Sequence, residues 1–282
     1  MNFTMQTKKK YILILSGILL SLFMSCGPSF IYKSYWQKTP VVIDGKTNDW
    51  DVPLRFFDPK TRLNYSVSND GENLYICIRA TDDDNVSAIT HDGLQIWIDT
   101  TGKKGHQVGI LCPIPLTKEQ TEKIKSRDEM QGTTDYNGMP DTSRMNRIHQ
   151  RFLEYARQMR VSGFKIVPNG LLALPNVYNI NLGMSWNNSN VLVYEASIPF
   201  KSFLKYPLSL SDSTRSLGIT FNYTITHRRM SMGNSGGGGM NRGGMGAGGM
   251  NAGAGTGGSH SGGTETVGEP ETIWTPFRLS TK

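Results

Sequence analysis

Tyr75, Arg79, Gln95, Trp97 and Trp186 are the side chains of this sequence best suited to chemistry, and that chemistry is recognition. Flat aromatic rings pack on the faces of sugars, while a few polar groups orient hydroxyls. Tyr75 and Arg79 alternate with apolar residues in one run, as Gln95 and Trp97 do in another, so the four are expected on one non-core face. Trp186 ends a later run and would supply a further ring. The competing account buries Trp97 between two sheets. Asp82, Asp83 and Asp84 form an acidic cluster beside Asn85. Hard cations such as Ca²⁺ need several oxygen ligands close together, and ordinary acidic turns look the same.

Catalytic arrangements are missing. There is no G-x-S-x-G elbow, and the five His are scattered. His91-Asp92 reads as a turn before a strand. Gly244 to Gly249 lies in a Gly-rich tract with no apolar strand before it and no helix after it, so it is linker rather than a nucleotide loop. Met240, Met245 and Met250 repeat every five residues. Thioethers suit Cu(I), but drifted low-complexity sequence accounts for the repeat.

The elements that must position the candidate residues begin with three alternating runs between Leu63 and Asp99. Leu63, Tyr65 and Val67 share one face; Leu74, Ile76, Ile78 and Ala80 share the next; Leu94, Ile96 and Ile98 share the third. A period of two marks half-buried strands, and Asn69-Asp70-Gly71 supplies a turn. We read the stretch as one β meander. If the runs 74–80, 94–99 and 107–112 lie side by side, Cys77 and Cys112 are two strands apart. That is roughly 9–10 Å, beyond the ~7 Å that a disulfide spans. Two buried free thiols are expected.

The start of the chain sets an address. Lys8, Lys9 and Lys10 precede an apolar stretch from Tyr11 to Met24, followed by Ser25-Cys26. The stretch is short for a membrane span and has the flanks of a signal peptide. A cysteine directly after it looks like a lipoprotein signal, with residues 1–25 removed and Cys26 lipidated. Phe23 stands where the usual motif has Leu. The expected location is the cell envelope, at the outer membrane, with the body in the periplasm or at the surface. Cleavage takes three Lys and no acid from a net charge of +7, leaving a mild balance. That balance, in an exported protein, excludes nucleic acid as the partner.

Residues 26–39 read as a tether, and residues 40–282 as one domain. Val41 and Ile43 begin a first strand, Asp44-Gly45 turn, and Trp50 plugs an end of the fold. Pro113 and Pro115 stop a strand at 107–112 and open a helical insertion at 113–161. In it, Thr117 to Arg127 is an exposed helix or loop. Ser143 caps an amphipathic helix to about Arg160, with Met145, Ile148, Phe152, Tyr155, Ala156 and Met159 along one stripe. Further strands follow at 162–167, 179–186, 190–200, 216–225 and 273–279, where Trp274 and Phe277 read as core or edge cover. Gly233 to Gly263 holds 16 Gly in 31 residues. We read 226–268 as a disordered Gly-rich loop.

Four motifs come in an order that resembles family-nine carbohydrate-binding-module-like domains, β sandwiches related to the DOMON superfamily. They are IDGKTNDW from Ile43, ENLYICIRATDDD from Glu72, DGLQIWID from Asp92 and YEASIPF from Tyr194. The resemblance covers residues 40–112 and 162–280. It implies an antiparallel, jelly-roll-like β-sandwich, a non-catalytic role and glycan as the ligand. Some such domains carry structural calcium, which would fall to Asp82, Asp83 and Asp84. DOMON relatives can hold haem, but no His or Met pair is placed for it, so no cofactor is assigned. Gln95 departs from the family's acidic residue, and no enzyme module accompanies the domain. Two readings of function therefore stand: a glycan-binding envelope lipoprotein, or a structural and protein-interaction lipoprotein without a small-molecule ligand.

Overall fold

A computed structural model describes residues 31–131, 143–205, 214–225 and 270–281. The strands are β1 (Tyr32–Lys33), β2 (Tyr35–Trp36), β3 (Phe56–Phe57), β4 (Asn64–Asn69), β5 (Asn73–Ala80), β6 (Leu94–Asp99) and β7 (Val108–Cys112), then β8 (Gln158–Ser162), β9 (Gly170–Ala173), β10 (Asn181–Trp186), β11 (Leu192–Pro199), β12 (Ser216–Thr224) and β13 (Pro270–Arg278). The helices are α1 (Asp83–Asp92), α2 (Lys118–Gln131) and α3 (Arg144–Tyr155). A seven-stranded sheet runs β1-β13-β12-β6-β7-β8-β9, and a six-stranded sheet runs β10-β11-β5-β4-β2 with β3 beside β4. Pairing is antiparallel except for β1 with β13 and β2 with β4. The expected β-sandwich is the architecture.

Alternation builds the core as read. Leu74, Ile76 and Ile78 of β5 meet Leu94, Ile96 and Ile98 of β6 between the sheets, all 1 % exposed or less. Leu217, Ile219 and Phe221 of β12 complete the same layer. Apolar side chains on alternate positions of two facing sheets remove their area from water together, which is the main stabilising term.

The meander is where the structure departs from expectation. β4 and β5 pair, but β5 and β6 lie in different sheets, joined by α1. Asp82 caps that helix, accepting from the Asp84 amide, and Gly93 ends it at a φ of 83°. The acidic cluster is thus a helix start and not a loop, and His91 stands in the last turn of α1. Cys77 and Cys112 are free and buried as expected. Their separation arises from opposite sheets rather than from strand order.

Four further segments differ. The supposed tether is stitched into both sheets through β1 and β2, and Ser34 carries the join. Its hydroxyl bonds Asn69, and Ser280 donates from its amide to Ser34 Oγ at 2.9 Å. These additions cover the edge of β13 and the end of β4 that β3 leaves unpaired. Val41 and Ile43 make no strand, because the segment packs on a sheet face without pairing. Helix α3 ends at Tyr155, and Met159 belongs to β8, where it points into the core. Ser143 leads α3 without a side-chain cap. Finally, 163–169 is a turn rather than a strand, although Phe164 and Val167 still enter the core. Helix α2 matches its exposed polar reading. The signal segment, Cys26 and the Gly-rich tract lie outside the described residues.

Candidate functional site

The strand swap splits the expected aromatic set. Tyr75 and Arg79 lie on the outer face of the six-stranded sheet, whereas Gln95 and Trp97 lie on the outer face of the seven-stranded sheet. They cannot touch one ligand. Tyr75 is 2 % exposed, packed against Trp50, Val41 and Cys77, and its hydroxyl donates to Asp70 Oδ2 at 2.7 Å. Burial pushes its phenol well above the usual range. It is a structural residue. Trp186 ends β10 under α3, where His149 stacks on it at 4.2 Å and Phe152 meets it edge-on.

Two of the four motifs meet over the six-stranded sheet. Glu195 of β11 is fully buried and accepts three hydrogen bonds: from Trp50 Nε1 at 2.6 Å, the Gly45 amide at 2.7 Å and the Asp44 amide at 3.1 Å. Gly45 sits at a φ of 76° against the β10 backbone, where a Cβ would lie 2.6 Å from Met184 C. Only glycine fits both conditions. The segment 41–54 is thereby clasped to the sheet, with Val41, Trp50 and Leu54 sealing Tyr75 and Cys77 beneath it. Burial raises the Glu195 carboxyl, and its three donors act against that shift. Trp50 is buried as expected, although it covers a sheet face and not an end of the fold.

The Asp cluster does not converge. Asp82 is engaged by the Asp84 amide and by Arg62 at 2.9 Å, and Asp83 accepts from Asn190. Among the described residues no three His, Cys, Asp or Glu side chains are placed to hold a metal.

The outer face of the seven-stranded sheet keeps the groups that recognition needs. Register places Trp97 opposite Thr220, and Thr220 opposite Trp274, so the two Trp residues flank one strand in a single row. Their backbones are two strand spacings apart, roughly 9–10 Å. Both side chains are half-buried, and the Thr220 between them is 1 % exposed. Glycines make room for the rings. A Cβ on Gly109 would lie 2.4 Å from Trp97 Cζ3, and one on Gly218 would lie 3.1 Å from Trp274 Nε1. The next row holds Thr272, Asn222, Gln95, Leu111 and Arg160. The β6–β7 hairpin bends over one end: Trp274 Nε1 donates to Lys103 O at 3.3 Å, and His106 leans on Trp97 at 4.8 Å between ring centres. Trp274 was legible in principle, since Ile273 points inward and its neighbour must point out.

Among the cavities elsewhere on the described residues, two bear on recognition. A cleft of about 740 Å³ is lined by Asn73, Asn179, Asn181, Ser197 and Lys201, and its aromatic contribution is the buried Tyr75. A second, of about 460 Å³, lies between α1, α2 and α3 and is mostly apolar, with Val86, Ile124, Ile148 and Phe152 in its wall. Among the described residues no helix is long and apolar enough to cross a membrane.

No family model matches the chain, and no curated protein matches it. The fold is similar to two solved structures of carbohydrate binding module family 9 from Caldicellulosiruptor kristjanssonii. The one in complex with glucose is 13 % identical, with a TM-score of 0.33 over 69 % of this chain and 77 % of that chain. The one in complex with cellotriose is 12 % identical, with a TM-score of 0.37 over 89 % of this chain and 94 % of that chain.

Proposed function

We propose that this chain is a non-catalytic glycan-binding protein of the cell envelope, tethered to a membrane through a lipid on Cys26, with its binding face on the outside of the seven-stranded sheet. The observation that carries the reading is the row Trp97–Thr220–Trp274, two half-exposed indoles on one flat face with polar side chains in the adjacent row. Trp274 and the part of Trp97 that His106 leaves uncovered are the surfaces for sugar rings, and Gln95, Asn222 and Thr272 offer donors and acceptors for hydroxyls. The tether rests on Lys8 to Lys10, the apolar stretch after them and the position of Cys26.

A structural role is the second reading. It is favoured by the hold that both indoles have on the β6–β7 hairpin through Lys103 and His106. Trp97→Ala and Trp274→Ala separate the two. The glycan reading expects each to abolish retention by a polysaccharide gel while lowering stability by about 1–2 kcal/mol, less than a core aromatic. Losses of ~3–5 kcal/mol, with no glycan retained by the wild type, would establish the structural role instead.

A further inference from the structure

Resting on the glycan reading, we infer that the same face takes an acidic polysaccharide, with Lys103, Lys104 and Arg160 meeting its carboxylates while Trp97 and Trp274 stack on its rings. The observation is one of charge. The seven strands and the β6–β7 hairpin contain two acids, Asp99 and Glu271. Neither opposes an anion on the outer face. Asp99 is 4 % exposed, with Oδ1 taken by the Thr101 amide, and Glu271 falls on the core-side alternation and pairs with Lys60. The cations are exposed: Lys33 on β1, Lys103 and Lys104 on the hairpin, Arg160 on β8 and Arg278 on β13. Among the described residues none of these five forms an ion pair.

Their placement flanks the row of indoles. Lys103 lies over β12, its carbonyl against Gly218 and 3.3 Å from Trp274 Nε1, and Arg160 lies two strands beyond Gln95 in the row on the other side. An extended polymer laid across the strands therefore meets both indoles with a cation on either side of their row. A guanidinium recognises carboxylate in bidentate fashion, and lysine does so as a point charge. The segment over the other sheet mixes signs instead, with Asp44, Asp49 and Asp51 beside Lys38, Lys46 and Arg55, and Arg79 on that sheet's outer face. A surface of one sign raises the local concentration of a polyanion before contact. An acidic membrane shares the charge but not the rest. The indoles lie back over Gly109 and Gly218 rather than projecting as wedges, and the row beside them is mostly polar.

The test uses the full chain in detergent. Binding is measured by affinity electrophoresis and calorimetry against uronate polymers (polygalacturonate, alginate, hyaluronate), their carboxyl-reduced forms, neutral β-glucan, xylan and mannan, single-stranded DNA and phosphatidylglycerol vesicles. The inference expects at least one uronate polymer to bind, and its reduced form to bind about tenfold more weakly or not at all. It also expects a steep loss of affinity at high salt as exposed charges are screened. Lys103→Gln, Lys104→Gln and Arg160→Gln together should weaken uronate binding by about tenfold or more, with an unchanged urea midpoint. Trp97→Ala should remove it. Neutral glycans bound as well as acidic ones, without salt dependence, would overturn the inference and leave the glycan reading standing. Vesicles or DNA bound in preference to every uronate would overturn it in favour of a general anionic surface. Retention of no glycan at all would end both readings.

Discussion

Substituting Glu195 by Gln probes the clasp over the six-stranded sheet. Oε2 accepts the Gly45 and Asp44 amides, and Oε1 accepts the Trp50 indole, all from donors around a fully buried carboxylate. A glutamine has one acceptor oxygen. Turned toward the two amides, it sets its own NH₂ against the indole N–H; turned the other way, it opposes both amides. The better orientation orphans one buried donor, which costs about 1–3 kcal/mol. Glu195→Leu orphans all three and should cost about 3–5 kcal/mol.

The pH profile adds a second signature. The folded carboxyl is raised by burial, so its contribution to stability is fully present below the ordinary Glu pKa of about 4.3 and is lost as pH rises through the folded value. The glutamine variant has no such term. The gap between wild type and Glu195→Gln should therefore be widest in acid and narrow as pH rises. Urea denaturation at a series of pH values reads both effects. A glutamine variant within about 0.5 kcal/mol of wild type throughout would show that the three contacts do not hold the segment, and a gap that widens with pH would show that the three donors outweigh burial at this carboxyl.

Asp82→Ala removes the cap of α1 and an exposed pairing with Arg62, and should lower stability by about 1 kcal/mol in the same assay. Cys77 and Cys112 are both 0 % exposed, and burial pushes Cys112 up to about 12. Neither thiol should react with a disulfide reagent at pH 8 until denaturant is added; prompt labelling of the native chain would mean that this packing is wrong. Cys26→Ala should release the protein from membranes or leave it unprocessed, and a variant that fractionates and migrates like wild type refutes the lipid tether.

Much of the site's logic lay beyond sequence reading because it depends on pairs far apart in the chain. Glu195 and Gly45 stand 150 residues apart, and nothing local shows that YEASIPF and IDGKTNDW close on each other. Trp97 and Trp274 share a row only because β12 separates them. Met159 fitted a helical stripe and a strand alternation equally well, and the pairing of β8 with β7 and β9 decided between them.

The sequence by itself determined which residues face inward. Alternation is a property of extended backbone, so Leu74, Ile76 and Ile78, and Leu94, Ile96 and Ile98, had to share core faces wherever their strands went. Tertiary structure decided which strands are neighbours. α1 carries the chain from one sheet to the other, and that crossing put Tyr75 under a clasp and left Trp97 half-buried on the outer face of the other sheet. The physical reason is that side-chain direction follows from local φ and ψ, whereas strand partnership follows from burying two apolar faces against each other, which no short stretch of sequence contains.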